Sequence, residues 1–196
     1  MVWRTRLDVD AYAAAGRNVA VPRLACPACS TAMTFWGWYR RDVRAGDIFR
    51  LWVRRMCCGP CGHTHAVLPE FVTHGRLDSV EVIGDAIAAM AAGVGARPVA
   101  VLAGAGHTTV RDWRARFAFR AELLVVGFVA ATVAVSGVSP KVSGNSEIAA
   151  LGAVDALWHS ASGRWPDEVG SRWRLANAVI GSHVLSTNTD PLFAVR

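Results

Sequence analysis

The chain has 196 residues, room for one medium domain or two to three small ones, and its 21 basic and 15 acidic side chains leave a formal charge of +6. Residues 1–120 hold 16 of the basic and 9 of the acidic groups, a balance of +7, and the last 76 residues balance at −1. This distribution excludes the back of the chain as the seat of any basic footprint and points to an anionic partner at the front. Twenty of the 21 basic residues are arginine, with Lys141 the single lysine. Arginine suits forked contacts to phosphate and guanine, although a GC-rich genome produces the same bias.

Met1 to Tyr12 carries Arg4, Arg6, Asp8 and Asp10 and lacks the apolar core of a secretory signal. The expectation is a cytoplasmic protein whose thiols stay reduced, so that paired cysteines hold metal rather than form disulfides. After a mixed lead-in ending at Pro22, two pairs appear: Cys26-Pro-Ala-Cys29 and Cys58-Gly-Pro-Cys61. Two residues between thiolates let a tight turn aim both sulfurs at one point, and two such turns complete a closed four-sulfur shell for one structural Zn2+. Cys58 is preferred over Cys57 because it restores the two-residue spacing, and Cys57 then packs as a small apolar residue. A spacing of three stays open, as does replacement of a sulfur by His63 or His65, which otherwise read as loop histidines or donors to the ligands.

Between the pairs, Thr34–Val43 is rich in Phe35, Trp36, Trp38 and Tyr39, and Arg44-Ala45-Gly46-Asp47 reads as a turn. Ile48–Met56 alternates Phe49, Leu51 and Val53 with Arg50, Trp52 and Arg54, the period-2 pattern of a strand. Knuckle, hairpin, knuckle is the assembly of a zinc ribbon. The hairpin's aromatics fit a small core; its arginines, Arg54 and Arg55 among them, are candidate phosphate contacts.

Pro69 to Gly75 looks like a linker. From Leu77 the pattern turns helical, with Val80, Ile83, Ile87 and Met90 at three- and four-residue steps until Gly93 and Gly95. Arg97-Pro98 starts a short helix, Gly104-Ala105-Gly106 makes a turn, and Thr108 or Thr109 caps a third helix through Arg120. This is the grammar of a helix-turn-helix. Val110, Trp113 and Phe117 form the inward stripe of the third helix. Thr108, Thr109, Arg111 and Asp112 are placed to read bases of double-stranded DNA, and Arg114, Arg116 and Arg120 to contact phosphates. Leu123 to Pro140 has no charged residue but loses hydrophobicity at Ser136, Gly137 and Ser139, so it is expected as a buried helix and not a membrane span. Further helices are expected over Ser146–Ser162, with Ile148, Leu151, Val154 and Trp158 on one side, and over Glu168–Leu185, with Trp173, Ile180 and Val184. An irregular tail from Thr187 to Arg196 follows.

The sequence also resembles a bacterial family of small proteins with an N-terminal zinc ribbon and a helix-turn-helix, similar to the front of insertion-element transposases. The residues carrying the resemblance are Cys26-Pro-Ala-Cys29, Trp36-Gly-Trp-Tyr39, Arg50-Leu-Trp-Val-Arg54 and Cys58-Gly-Pro-Cys61-Gly-His-Thr-His65. They continue as Leu77-Asp-Ser-Val-Glu-Val-Ile-Gly84, Thr108-Thr-Val-Arg-Asp-Trp113, Trp173-Arg-Leu-Ala-Asn177 and Ser186-Thr-Asn-Thr-Asp-Pro191. Ser30 stands where such knuckles usually carry glycine. The resemblance implies a DNA-binding protein that leaves strand cutting to a separate recombinase.

The expected fold class is α+β: a zinc ribbon over residues 1–75, a helix-turn-helix over 76–122 and a C-terminal helical region over 123–196. The expected function is DNA binding without catalysis, transposase-associated or regulatory, since no nucleophile elbow, phosphate loop or metal-binding acid spacing occurs. The alternative is an adaptor, or a remnant of a larger transposase, that docks a separate transposase or recombinase subunit. A homodimer fits the helix-turn-helix expectation, yet no heptad seam is visible in the sequence.

Overall fold

The computed structural model describes residues 1–183 and has a mixed α+β architecture. A four-stranded sheet is ordered β1-β4-β3-β2, with β1 Val2–Trp3, β2 Thr34–Ala45, β3 Asp47–Cys57 and β4 Thr64–Pro69. Six α-helices accompany it among the described residues: α1 Val9–Ala15, α2 Val80–Ala91, α3 Ala96–Ala103, α4 His107–Ser136, α5 Ser146–Arg164 and α6 Arg172–Val179.

The hairpin β2–β3 is longer at its tip than expected. It pairs from Thr34 opposite Cys57 up to Ala45 opposite Asp47, with Gly46 alone at the bend. The bend needs φ +84 at Gly46, a conformation glycine adopts without steric cost. Trp36 is an extra residue in the register between Phe35 and Gly37, a bulge near the knuckle end. Val43, Leu51 and Val53 point from the hairpin into the main core, where each fully buried side chain of this size contributes roughly 1.5–3 kcal/mol. On the opposite face, Met56 and Val67 join Met33, Cys26 and Cys58 in a second, smaller core at the knuckle end.

Three elements escaped the sequence reading: β1, α1 and β4. Strand β1 runs parallel to β4 through Val2 opposite Leu68 and Trp3 opposite Pro69, so the lead-in belongs to the sheet. Helix α1 is capped by Asp8, whose carboxylate accepts from the Ala11 amide, and buries Val9 and Tyr12.

The stretch expected as a linker is instead packed. Glu70, Phe71, Val72 and Thr73 are all buried. The buried Asn177 side chain of α6 donates to the carbonyls of Glu70 (2.7 Å) and Val72 (3.1 Å), and the Ser182 hydroxyl reaches the Val72 carbonyl as well. Backbone acceptors that would be solvated in a linker are satisfied by donors more than 100 residues away, which allows the segment to be buried.

The hairpin tip is stitched to the start of α2. The Arg44 amide donates to the Leu77 carbonyl, the Ser79 amide to the Arg44 carbonyl, and Arg44 Nε lies 2.6 Å from Asp78 Oδ1. Helices α3 and α4 are joined through Gly104, at φ +60, and Gly106, which occupies the N-cap of α4. The helix thus starts at His107, and the cap expected from Thr108 or Thr109 is not formed. Nor does α4 end near Arg120. With no proline or glycine between Arg111 and Val126, it continues for 30 residues to Ser136, through the position where the sequence placed the join between two regions. The inward stripe Val110, Trp113 and Phe117 is buried as expected and extends through Ala121, Leu124 and Phe128.

The stretch from Leu123 is buried on one side only. Leu123 is 62% and Val126 69% exposed, while Leu124 and Phe128 are fully buried. By length and composition α4 is long and apolar enough to cross a membrane, and its inner side packs along α5. Helix α5 runs two residues past the expected end and is capped by Asn145, which accepts from the Ile148 amide. Its buried face is borne out only in part: Val154 is buried as expected and Leu151 packs against the core, but Ala150, Ala153, Leu157 and Ala161 are also inside, and Ile148 is 45% exposed. Alanines let two helices approach closely, so small residues carry the contact that larger ones were expected to make. Helix α6 is shorter than expected. Val184, the motif Ser186–Pro191 and the expected tail from Thr187 lie outside the described residues.

Candidate metal centre and nucleic-acid face

Both knuckles fold by the same backbone pattern. In the first, the Ser30 amide donates to the Cys26 carbonyl (2.8 Å) and the Cys26 amide to the Thr31 carbonyl (2.8 Å). In the second, the Gly62 amide donates to the Cys58 carbonyl (2.8 Å) and the Cys58 amide to the His63 carbonyl (2.9 Å). Each turn requires positive φ four residues after its first cysteine: +60 at Ser30 and +70 at Gly62.

These turns bring Cys26, Cys29, Cys58 and Cys61 together, with one ligand atom from each lying within 4.8 Å of all the others. Sγ–Sγ separations are 3.3 Å for Cys29–Cys58, 3.6 Å for Cys26–Cys61 and 3.8 Å for Cys29–Cys61. All are far longer than a disulfide, and the cysteines are free. Four sulfurs about 2.3 Å from a tetrahedral ion stand about 3.8 Å apart, so the donor set fits one ion. Cys58 belongs to the cluster; the Cys57 thiol turns to the Cys58 carbonyl instead.

The electrostatics of the thiols point the same way. The Thr31 amide, with help from its hydroxyl and from Cys58, lowers the Cys29 thiol to about 6. The Cys61 amide favours the Cys58 thiolate, but desolvation and the neighbouring thiols outweigh it and push Cys58 up to about 12. Thiolates this close repel one another, and a dication removes that cost. His65 Nε2 lies 3.7 Å from Cys26 Sγ, outside the four-cysteine set, in position to donate to a ligand sulfur. His63 stacks beside His65 at 6.3 Å.

The arginines expected to meet DNA divide into two groups. Arg111 and Thr108, on the first turns of α4, are exposed, and Thr109 is half-buried. Arg55 is exposed and donates to the Thr64 hydroxyl. The others are engaged within the fold. Arg114 forks onto Glu147 of α5 at 2.8 and 2.9 Å. Asp112 accepts from Arg116 at 2.8 Å and faces Arg76 at 4.0 Å. Arg120 is buried, donates to the His183 carbonyl and has its pKa lowered by desolvation. The Arg54 guanidinium lies over Phe35 (4.1 Å) and Trp38 (4.7 Å).

Sequence reasoning missed the partners of these groups. Glu147 lies 33 residues from Arg114, so no helical spacing could reveal the pair. It also passed over Arg97, exposed at the start of α3 and on the same short helical unit as Arg111. Residues 26–117, just under half of the chain, match the family described as Domain of unknown function (DUF6431), a span that starts at the first knuckle cysteine and ends inside α4. No curated protein and no solved structure matches the chain.

Proposed function

We propose that the protein binds double-stranded DNA, with one structural zinc ion closing a ribbon around the β2–β3 hairpin and α3–α4 acting as a helix-turn-helix. The observation that carries this reading is the four-cysteine cluster, at one end of a hairpin whose other end is tied to a helical unit with Thr108 and Arg111 facing solvent at its entry. Four thiolates saturate a tetrahedral ion and leave no position for water or substrate, so the metal serves the scaffold. The role assigned is transposase-associated or regulatory, with strand cutting left to a separate recombinase.

In this reading Arg55, Arg97 and Arg111 contact phosphate, and Thr108 and Arg111 approach base edges. Three phosphate contacts imply a log–log salt slope of about −3. The test is selection of bound duplexes from a random pool by metal-loaded protein, followed by affinity measurements from about 50 to about 300 mM salt. Cys58→Ser serves as the metal-free control and Cys57→Ser as its matched neighbour. An enriched site, a slope near that value and loss of binding in Cys58→Ser alone support the reading; flat salt dependence overturns it.

A second reading, protein docking, is favoured by the outer face of α4. Phe119 (89% exposed), Leu123, Val126, Ala130 and Val133 follow one another at steps of four, three, four and three. This is the spacing of a coiled-coil seam, not visible in the sequence because the buried stripe of the same helix is equally apolar, and a second copy offers the same stripe to meet it. Light scattering on the parent and on Leu123→Glu/Val126→Glu tests it: a dimer converted to a monomer supports the reading, and a parent that is monomeric at all concentrations overturns it.

A further inference from the structure

A cavity of about 650 Å³ opens between the hairpin tip, α1, α2 and α3. Its floor is made by small side chains. Ala45 from the hairpin, Ala86 and Ala89 from α2 and Ala103 from α3 leave the space unfilled, while Phe49, Val82 and Val99 wall it in. Leu102, 84% exposed, stands at its edge.

Its polar lining is of the opposite sign to the protein. Asp8, Asp10, Glu81 and Asp85 line the cavity with a single cation, Arg174, giving a formal −3 in a chain of +6. Arg174 is held by Glu81 Oε1, so its charge is already matched. The other oxygen, Glu81 Oε2, is buried without a hydrogen-bond partner among the described residues. Asp85 accepts from Trp173 Nε1 at 2.8 Å, which fixes the carboxylate at the rim; Arg172 faces it at 3.8 Å but is bonded at 2.8 Å to Asp155, and Asp10 is exposed. An apolar floor with a few fixed polar groups at its edge, in this size range, is the general form of a small-molecule site.

We propose that this cavity binds a small organic cation, with an apolar body seated on the alanine floor and a protonated amine at the carboxylate rim. A free molecule is the occupant the volume fits, since clefts of about 300–1,000 Å³ enclose most of a drug-sized ligand. None of the four clustered cysteines and no residue of α4 lines the cavity, and its occupancy is read without DNA.

The experiment titrates metal-loaded full-length protein with 4-phenylbutylammonium and, in parallel, with 4-phenylbutanoate, by calorimetry and ligand-observed NMR. The expected result is saturable binding of the ammonium with a Kd below about 1 mM and binding of the carboxylate weaker by about tenfold or more. Asp10→Asn/Asp85→Asn should weaken the ammonium by at least about fivefold, and Ala89→Leu, which fills open space, should abolish it. Circular dichroism checks that each variant is folded, and the surface change Asp10→Asn alone gives a variant that spares the packing. Equal binding of cation and anion, no saturable binding of the cation, or unchanged affinity in a folded Ala89→Leu overturns the proposal.

Discussion

Val67 and Leu68 are neighbours on β4, both fully buried, yet they belong to different cores. Successive side chains of a strand point to opposite faces, so one residue step separates the small core of Met33, Met56, Cys26 and Cys58 from the main core of Leu51, Val53 and Phe71. Leu68→Ala should destabilise the whole fold by about 2–4 kcal/mol through lost burial and the cavity left behind. Val67→Ala should instead loosen the knuckle end, raising the rate of metal loss to a chelator more than Leu68→Ala does. Denaturant unfolding and stopped-flow chelation measure the two effects separately.

Ser30 and Gly62 occupy equivalent positions, but only glycine takes the left-handed conformation freely. At φ +60 a side chain costs roughly 1 kcal/mol or more. Ser30→Gly should therefore stabilise the first knuckle, seen as a higher unfolding midpoint and slower metal release. An unchanged or lower midpoint would mean that the serine side chain contributes more than its backbone conformation costs.

The knuckles, the hairpin and the starts of α3 and α5 were legible because each is written in adjacent residues: CxxC spacing, period-2 alternation, Arg97-Pro98 and Ser146. What escaped depends on distant partners. Two residues of β1 form a strand only because β4 offers an edge, and 70–73 are buried only because Asn177 supplies donors. The buried face of α5 was read correctly at Val154 but missed at its alanines, because alanine gives a weak hydrophobic signal, while Ile148 gives a strong one and remains exposed. In the candidate site, the cysteines that assemble were readable from spacing; which arginines are already paired was not.

Gly84 shows the same dependence at the α2–α6 contact. A Cβ added there would stand 2.1 Å from Trp173 Cδ2 and 2.3 Å from Cε2, far inside contact distance of the indole ring. The ring is buried and anchored by its hydrogen bond to Asp85, so it cannot swing away cheaply. Gly84→Ala should cost about 3 kcal/mol or more, at the upper end of overpacking effects. Combining it with Trp173→Leu should recover part of that loss, and a double-mutant cycle in urea measures the coupling.

Glu70 is a buried carboxyl whose pKa is raised above its ordinary 4.5 by desolvation, against the pull of the Thr5 amide. The folded state therefore holds this proton to higher pH than the unfolded state does. Its favourable contribution is complete below pH 4.5 and is lost as pH rises through that value to the folded pKa. Glu70→Gln keeps an acceptor for the Thr5 amide and carries no charge, so its Tm should exceed the parent's at about pH 7 and converge with it toward about pH 4. Paired melts across that range check the sign.

Arg111 and Arg114 lie one turn apart on α4, and the fold places them in different surroundings. Arg111 is exposed, whereas Arg114 forks onto Glu147, a carboxylate only 10% exposed that would be left without its partner. If the start of α4 meets DNA, Arg111→Ala should lower affinity by about 1–3 kcal/mol with little change in stability. Arg114→Ala should do the reverse, lowering stability by about 1–3 kcal/mol because a largely buried carboxylate loses its charged partner. The two variants, compared by filter binding and by thermal melting, separate a residue that contacts a partner from one that ties α4 to α5. Loss of DNA affinity in Arg114→Ala at unchanged stability would show that the Glu147 pair opens to release Arg114 to phosphate. Unchanged affinity in Arg111→Ala would remove the start of α4 from the interface.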